Sequence, residues 1–260
     1  MAMEPLHPIL DGRRALVVGI ANEQSIAYGC AKAFRELGAE LAITYLNDKA
    51  RAHVEPLAAE LGAEIFLPLD VETPGQLEAL FEAVAARWGR LDILLHSIAF
   101  APKEDLQGGL LNCSAKGFAT AMDVSCHSFV RMAKLAAPLM TEGGTLFAMS
   151  YHGAERVVPN YNVMGPVKAA LEASCRYLAY ELGPQHIRVH AISPGALATR
   201  AASGLKDFAQ LLTDTAHRAP VGELVDIRDV GYTCAYLASP YARRLTGSTV
   251  YVDGGANIVA

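Results

Sequence analysis

Residues 15–29 read Ala-Leu-Val-Val-Gly-Ile-Ala-Asn-Glu-Gln-Ser-Ile-Ala-Tyr-Gly, and the order of features in that stretch decides the fold. An unbroken aliphatic run at 15–18 is the pattern of a strand buried on both faces. Gly19 follows it, and a residue without Cβ permits a tight turn. Five residues later Ser25-Ile26-Ala27 opens a helical pattern that runs to residue 37 and stops at Gly38, a natural C-terminal stop. Strand, tight turn and helix in that order make the first half of a βαβ unit.

The same alternation continues along the chain. Aliphatic or β-branched runs recur at 41–45, 64–69, 92–96, 145–149, 188–192 and 249–252, with helical segments at 73–88, 128–140, 167–182 and 226–238. The helix at 73–88 is expected to open on a capping Thr73, with Pro74 in its first turn and Gln76 at capping-box distance, and to stop at Gly89. Seven strands alternating with helices predict an α/β fold: a single-domain, Rossmann-type, doubly wound, seven-stranded parallel sheet with helices on both faces, spanning residues 1–260.

Composition agrees. At 52% hydrophobic residues with a formal charge of −5, the chain is neither disordered nor built to coat a polyanion, so no nucleic-acid partner is expected. Its longest apolar runs fall far short of the roughly 20 residues a membrane helix needs, so no membrane partner is expected either. The opening residues lack a basic region followed by an apolar core, unlike a secretory signal. Cys30, Cys113, Cys126, Cys175 and Cys234 form no CxxC and have no metal-ligand spacing with histidine. They read as reduced thiols of a cytoplasmic protein with no metal site.

In an open α/β sheet, ligands sit beyond the carboxyl ends of the strands. Gly19 with Ser25 capping the helix at Ile26 can present a helix N-terminus to a pyrophosphate, although the loop is not GxGxxG and an ordinary βα turn fits as well. Strand two ends at Tyr45-Leu46-Asn47-Asp48, where an adenosine ribose would lie. Strand three ends at Asp70-Val71; the carboxylate can accept from an adenine amino group, or serve as a cap ahead of Thr73. Strand four ends in His96-Ser97-Ile98-Ala99, on the wall of the same crevice.

The segment after strand five, 150–168, reads Ser-Tyr-His-Gly-Ala-Glu-Arg-Val-Val-Pro-Asn-Tyr-Asn-Val-Met-Gly-Pro-Val-Lys. A tyrosine beside an ammonium is a strengthened donor, able to stabilise an oxyanion. Tyr161 and Lys168 lie seven residues apart and share a face if both are on one helix. As an isolated spacing, Tyr and Lys at i, i+7 usually mean a packed ring and a solvated charge.

Taken together, these motifs resemble the short-chain dehydrogenase/reductase superfamily, and within it the FabI-type bacterial enoyl-[acyl-carrier-protein] reductases. The superfamily shows Tyr-xxx-Lys; this branch has a tyrosine with six residues before the lysine and another tyrosine ten residues upstream, as in Tyr151, Tyr161 and Lys168. Gly19 to Gly29, His96-Ser97-Ile98, Gly153-Ala154-Glu155-Arg156, the run from Pro159 to Gly165, Ala201-Ala202-Ser203-Gly204 and Val252-Asp253-Gly254-Gly255 match too, so the likeness covers roughly residues 9–258.

The resemblance implies NADH-dependent reduction of the trans-2 double bond of an enoyl thioester on acyl carrier protein, in fatty-acid elongation. It implies that Tyr161 hydrogen-bonds the thioester oxygen, that Lys168 holds the nicotinamide ribose, and that Tyr151 and Ala101 line the substrate pocket. By the same likeness, the cofactor contacts Gly19, Ser25, Ile26, Leu46, Asp70, Val71, Ile98 and Lys168. Its carboxamide docks near Leu197, Ala198, Thr199, Arg200 and Ala201, and residues 198–213 form a lid. A homotetramer is implied, with the helices after strands four and five paired across an axis; Phe129, Met132, Leu171 and Leu178 fit that interface or the core.

Several positions depart from the family pattern. Ala99 replaces the usual glycine, and Leu46 replaces a frequent glutamine. No arginine directly follows strand two; Lys49 and Arg51 come slightly later, within reach of a 2′-phosphate, and the reading favours NADH over NADPH. Pro166 places the helix start near Gly165 and is the departure most able to move Lys168. After Lys206-Asp207-Phe208 the family's basic residues give way to Ala209-Gln210, leaving Arg200 and Lys206 to meet an acidic carrier. The alternatives are a paralogous short-chain reductase acting on another enoyl or keto substrate, such as a coenzyme A ester, or a non-catalytic dinucleotide-binding sensor.

Overall fold

The computed structural model describes residues 8–197 and 208–259. All seven expected strands are present: β1 (Arg14–Val18), β2 (Glu40–Tyr45), β3 (Ile65–Pro68), β4 (Ile93–His96), β5 (Gly144–Met149), β6 (Ile187–Pro194) and β7 (Thr249–Val252). They form one sheet in the order β3-β2-β1-β4-β5-β6-β7, and every neighbouring pair is parallel. The order reverses between β1 and β4, which places the crevice at their carboxyl ends.

The helices are α1 (Ile26–Glu36), α2 (Asp48–Glu60), α3 (Gln76–Trp88), α4 (Lys103–Gln107), α5 (Ala115–Met122), α6 (Ser128–Ala136), α7 (Met164–Leu182), α8 (Phe208–Arg218) and α9 (Ile227–Ala238). Strand residues alternate between two cores. Leu16, Leu94 and Leu146 face α3, α6 and α7 through Leu80, Phe129 and Leu171. Val17, Ile93 and Phe147 face α1, α2 and α9 through Phe34, Val54 and Leu237. Both faces are therefore covered, as a parallel sheet requires. Phe129, Met132, Leu171 and Leu178 all belong to the first core, which settles them as packing residues of the chain's own interior.

Three helical expectations need correction. The helix expected at 73–88 begins at Gln76, because Gly75 takes a left-handed conformation at its N-cap position. Thr73 does not cap it, and Gln76 turns its side chain back to accept from the Asp70 amide at 2.8 Å. The helix expected at 128–140 is one part of a longer path: a π turn at Asp123–His127 joins α5 to α6. The helix α2 was not anticipated. It buries only Val54 and Ala58, so it carries almost no apolar stripe to read, and Pro56 interrupts the pattern further.

Helices α1 and α9 approach each other backbone to backbone. A Cβ on Gly29 would lie 2.2 Å from the Ile227 carbonyl oxygen, and one on Gly231 would lie 2.4 Å from the Gly29 carbonyl oxygen. Backbone cannot yield as a side chain can. Gly29→Ala should therefore destabilise the fold by roughly 1–3 kcal/mol, despite the helix propensity alanine adds, and a lowered denaturant midpoint would register it. An unchanged midpoint would mean that the two helices separate freely.

Candidate active site

Buried polar side chains near the crevice include Ser25 after β1, His96 at the end of β4, and Ser150 and Lys168 at the end of β5. Gly19 ends β1 with φ +113°, and a Cβ there would sit 2.1 Å from the Ser97 carbonyl oxygen. Its glycine is thus demanded by the exit of β4.

Ser25 stands at the N-cap position of α1 but makes no cap. Its hydroxyl oxygen accepts from the loop amides of Ala21 at 3.0 Å and Asn22 at 3.1 Å. That corrects the expected cap, and the physical effect is the opposite of capping. The loop is rigidified, and while the Tyr28 and Gly29 amides donate to the Ser25 carbonyl, the Ile26 and Ala27 amides at the start of α1 are left to face an anion. This donor set fits the pyrophosphate of a dinucleotide.

The adenosine side is less polar than expected. Leu46 is exposed. Val71 is buried in the core beside half-buried Asp70, whose Oδ1 accepts from the Glu72 amide at 3.0 Å instead of capping at Thr73. Arg51 pairs with Glu55 at 2.9 Å and lies over the Tyr45 ring at 5.8 Å. A guanidinium so engaged is poorly placed to meet a 2′-phosphate.

Beyond β4, the chain from Ser97 to Ala101 is held by the π turn. Ser125 Oγ accepts from the Phe100 amide at 2.9 Å and donates to its carbonyl at 3.0 Å. Ile98 and Ala101 are half-buried against the first core, and Ala99 is exposed. His96 is fully buried at the end of β4. Ser128 donates its one hydroxyl proton to the Val124 carbonyl at 2.7 Å, so its oxygen accepts from His96 Nε2, also at 2.7 Å. Nδ1 is left without a partner. Burial, then the charge of Lys168, lowers the histidine to about 3 from an ordinary 6.5, and the ring is neutral.

Lys168 is 4% exposed and donates from Nζ to the Met149 carbonyl oxygen, the last of β5, at 2.6 Å. Pro166 is the third residue of α7, within the first turn, where its missing donor costs nothing. The helix starts one residue before Gly165, close to the expected position. Tyr161, however, lies ahead of α7 in the turn that leads into it, with its carbonyl accepting from the Met164 amide at 3.1 Å. The shared-helix argument for Tyr161 and Lys168 therefore fails.

What places Tyr161 is packing. Its ring meets Tyr151 edge-on at 5.0 Å, and a Cβ on Gly153 would lie 2.4 Å from its Cδ1. Burial raises the phenols of both tyrosines; Arg218, at the end of α8, draws Tyr151 back down. Asn162, with φ +45°, donates to the Leu106 carbonyl at 2.6 Å and ties this turn to α4.

Leu197 is buried in the second core. Ala198, Thr199, Arg200 and Ala201, with Lys206 and most of the 198–213 lid, lie outside the described residues. Two groups near the site escaped the reading of the sequence. Arg218 had no motif to mark it. Glu172 did carry a signal, for it interrupts the apolar stripe Val167, Leu171, Cys175 and Leu178 on α7, four residues after Lys168. Among the described residues, no group of three or more His, Cys, Asp or Glu side chains is disposed to hold a metal. Among them, too, no helix is long and apolar enough to cross a membrane.

A parallel sheet in this order, with two tyrosines and a buried lysine at the end of β5, defines a short-chain dehydrogenase/reductase. A family model described as Enoyl-(Acyl carrier protein) reductase matches residues 19–257, and the chain belongs to that family. It is 46% identical over 252 residues to Enoyl-[acyl-carrier-protein] reductase [NADH] FabI of Salmonella typhimurium, covering 96% of each chain. The crystal structure of the NADH enzyme from Aquifex aeolicus VF5 superposes with a TM-score of 0.93 at 43% identity, over 97% of this chain and 99% of that one. The enoyl-(acyl-carrier-protein) reductase of Anaplasma phagocytophilum in complex with NAD gives 0.92 at 42% identity, over 99% and 96%.

The buried neutral histidine makes a stability prediction. His96 takes up a proton on unfolding at any pH between about 3 and 6.5, so its contribution is lost as pH falls below 6.5. From pH 7.5 to 5 that amounts to about 2 kcal/mol. Denaturant titrations of His96→Asn should show a loss over this range smaller by that amount, and identical pH slopes for the two proteins would contradict the assignment.

Proposed function

We propose that the chain is an NADH-dependent enoyl-[acyl-carrier-protein] reductase, reducing the trans-2 double bond of an enoyl thioester. One observation carries this reading: the buried Lys168 ammonium and the Tyr151–Tyr161 pair converge at the end of β5, beside an uncapped helix N-terminus. Family membership and the relatives named for NADH support it.

When bound, NADH would supply a hydride to C3 of the enoyl group, with C2 taking a proton from water as the resulting enolate collapses. In between, charge develops on the thioester oxygen. Tyr161 donates its phenolic hydrogen to that oxygen, and Gly153 leaves room for the ring to do so. Lys168 has one donor on Met149; its other two are left for the nicotinamide ribose hydroxyls. Tyr151 and Ala101 wall the substrate side. Gly19, Ser25, Ile26, Leu46, Asp70, Val71 and Ile98 line the dinucleotide crevice, and residues 197–201 receive the carboxamide. The whole of 1–260 works as one domain, with 198–213 as its lid.

Acyl carrier protein is the proposed donor of the acyl chain, and the cations proposed to meet it are Arg200, Lys206 and Arg218. We also read the protein as a cytoplasmic homotetramer. Its five cysteines are free, and α7 and α5 leave Tyr177, Tyr180 and Phe118 exposed on their outer faces.

Crotonyl thioester should support NADH oxidation while acetoacetyl thioester does not; the reverse would show a keto reductase. Tyr161→Phe should lower kcat by about 10²–10³ with NADH affinity near normal, and turnover equal to wild type would remove Tyr161 from the chemistry. Lys168 carries the second prediction. Burial lowers it from 10.5 to about 8, so the ammonium is present below that pH and lost above it. The ratio kcat/KM for NADH should fall as pH rises through about 8. In Lys168→Ala the affinity should be weaker and this limb absent; a limb that persists belongs to another group.

A further inference from the structure

We propose that Glu172 is a positioning residue for the catalytic lysine: its buried carboxyl holds the Met149–Tyr151 segment against α7 and sets an acidic group one helical turn from Lys168. This rests on the role given to Lys168 above.

The contacts form a closed loop of short bonds. Glu172 is 4% exposed, one helical turn beyond Lys168 on α7. Ser150 Oγ donates to Glu172 Oε1 at 2.5 Å, the length of a charge-assisted O–H···O bond. The Ser150 amide donates to the Ile192 carbonyl at 2.7 Å, which fixes it to β6. The preceding residue, Met149, offers its carbonyl to Lys168 Nζ at 2.6 Å, and the following residue is Tyr151. One carboxylate therefore anchors the backbone that receives the ammonium and carries the substrate-side tyrosine. A merely structural core position would be filled by an aliphatic residue at lower desolvation cost.

The electrostatics agree. Burial raises the Glu172 carboxyl, while the Ser150 and Thr249 hydroxyls favour its ionised form. Other groups facing it are Glu155, which opposes ionisation, and Arg176, which favours it. Tyr161, Cys175 and Tyr251 are each raised by it. Burial depresses Lys168; Cys126, Cys175 and Glu172 oppose that. The two thiols are themselves pushed up, Cys175 to about 12, and are neutral near pH 7. Among these, Glu172 is the carboxyl whose ionised form two hydroxyls favour, one helical turn from the lysine.

The test is the titration of Lys168 in the cofactor-free protein, followed by NMR of 13Cε-labelled lysine and assigned with Lys168→Ala. Wild type should titrate near pH 8. Glu172→Gln keeps an acceptor for Ser150 and removes the charge, and its midpoint should fall by at least half a pH unit. NADH affinity at pH 8, read by fluorescence, should weaken by at least threefold. Glu172→Asp should recover most of both, and Ser150→Ala, which removes the anchor and one of the two hydroxyls favouring the charge, should weaken NADH affinity in the same direction as Glu172→Gln. An unmoved Lys168 midpoint in folded Glu172→Gln overturns the proposal. Wild type without enoyl reductase activity would instead overturn the function, and the NMR titration is independent of that outcome.

Discussion

A charged lysine held out of water at the end of β5 is the constraint from which the rest of the site follows. An ammonium in that position is costly unless it is hydrogen-bonded and opposed by charge. The chain meets the first need with the Met149 carbonyl, which is available because β5 ends there and its next amide bonds across to β6. The Glu172 carboxyl, one helical turn further along α7, is proposed to meet the second. The neutral His96 fits the same logic, since a second cation at the end of β4 would oppose the first. The parallel sheet gathers these strand ends, and α7 delivers both the lysine and this acidic neighbour.

Much of the fold was legible because the strands are buried on both faces and read as aliphatic runs bounded by glycine. The glycines at 19, 38 and 89 sit at left-handed turns, as their positions suggested. Helix α2 was not legible, since two buried residues make no periodic signal. The start of α3 was misread because Thr-Pro-Gly-Gln satisfies the capping pattern while Gly75 takes a conformation that delays the helix.

At the site, residue types were legible but their relations were not. Tyr161 and Lys168 have helical spacing, yet only Lys168 is helical, and the tyrosine is placed by Gly153 and Tyr151. Ser25 looked like a cap and serves the loop instead. Asp70 spends one oxygen on its own turn. Such partnerships depend on side-chain direction across non-adjacent segments, which spacing does not encode. Glu172 is the exception: a charge inside an apolar stripe announces burial, and a buried charge calls for a partner.

Cofactor choice follows from the same economy of charge. With Arg51 committed to Glu55 and Tyr45, and with Leu46 at the end of β2, the one guanidinium near the end of β2 is engaged elsewhere, which leaves Lys49 as the exposed cation a 2′-phosphate would have to use. On the proposed function, this site directs a hydride to the β-carbon of an enoyl thioester. Reduction of crotonyl thioester with NADH deuterated at both C4 positions, followed by NMR of the product, tests that most directly. One deuterium at C3 of the butyryl thioester is the predicted result. Deuterium at C2, at the thioester carbon, or nowhere in the product would contradict it.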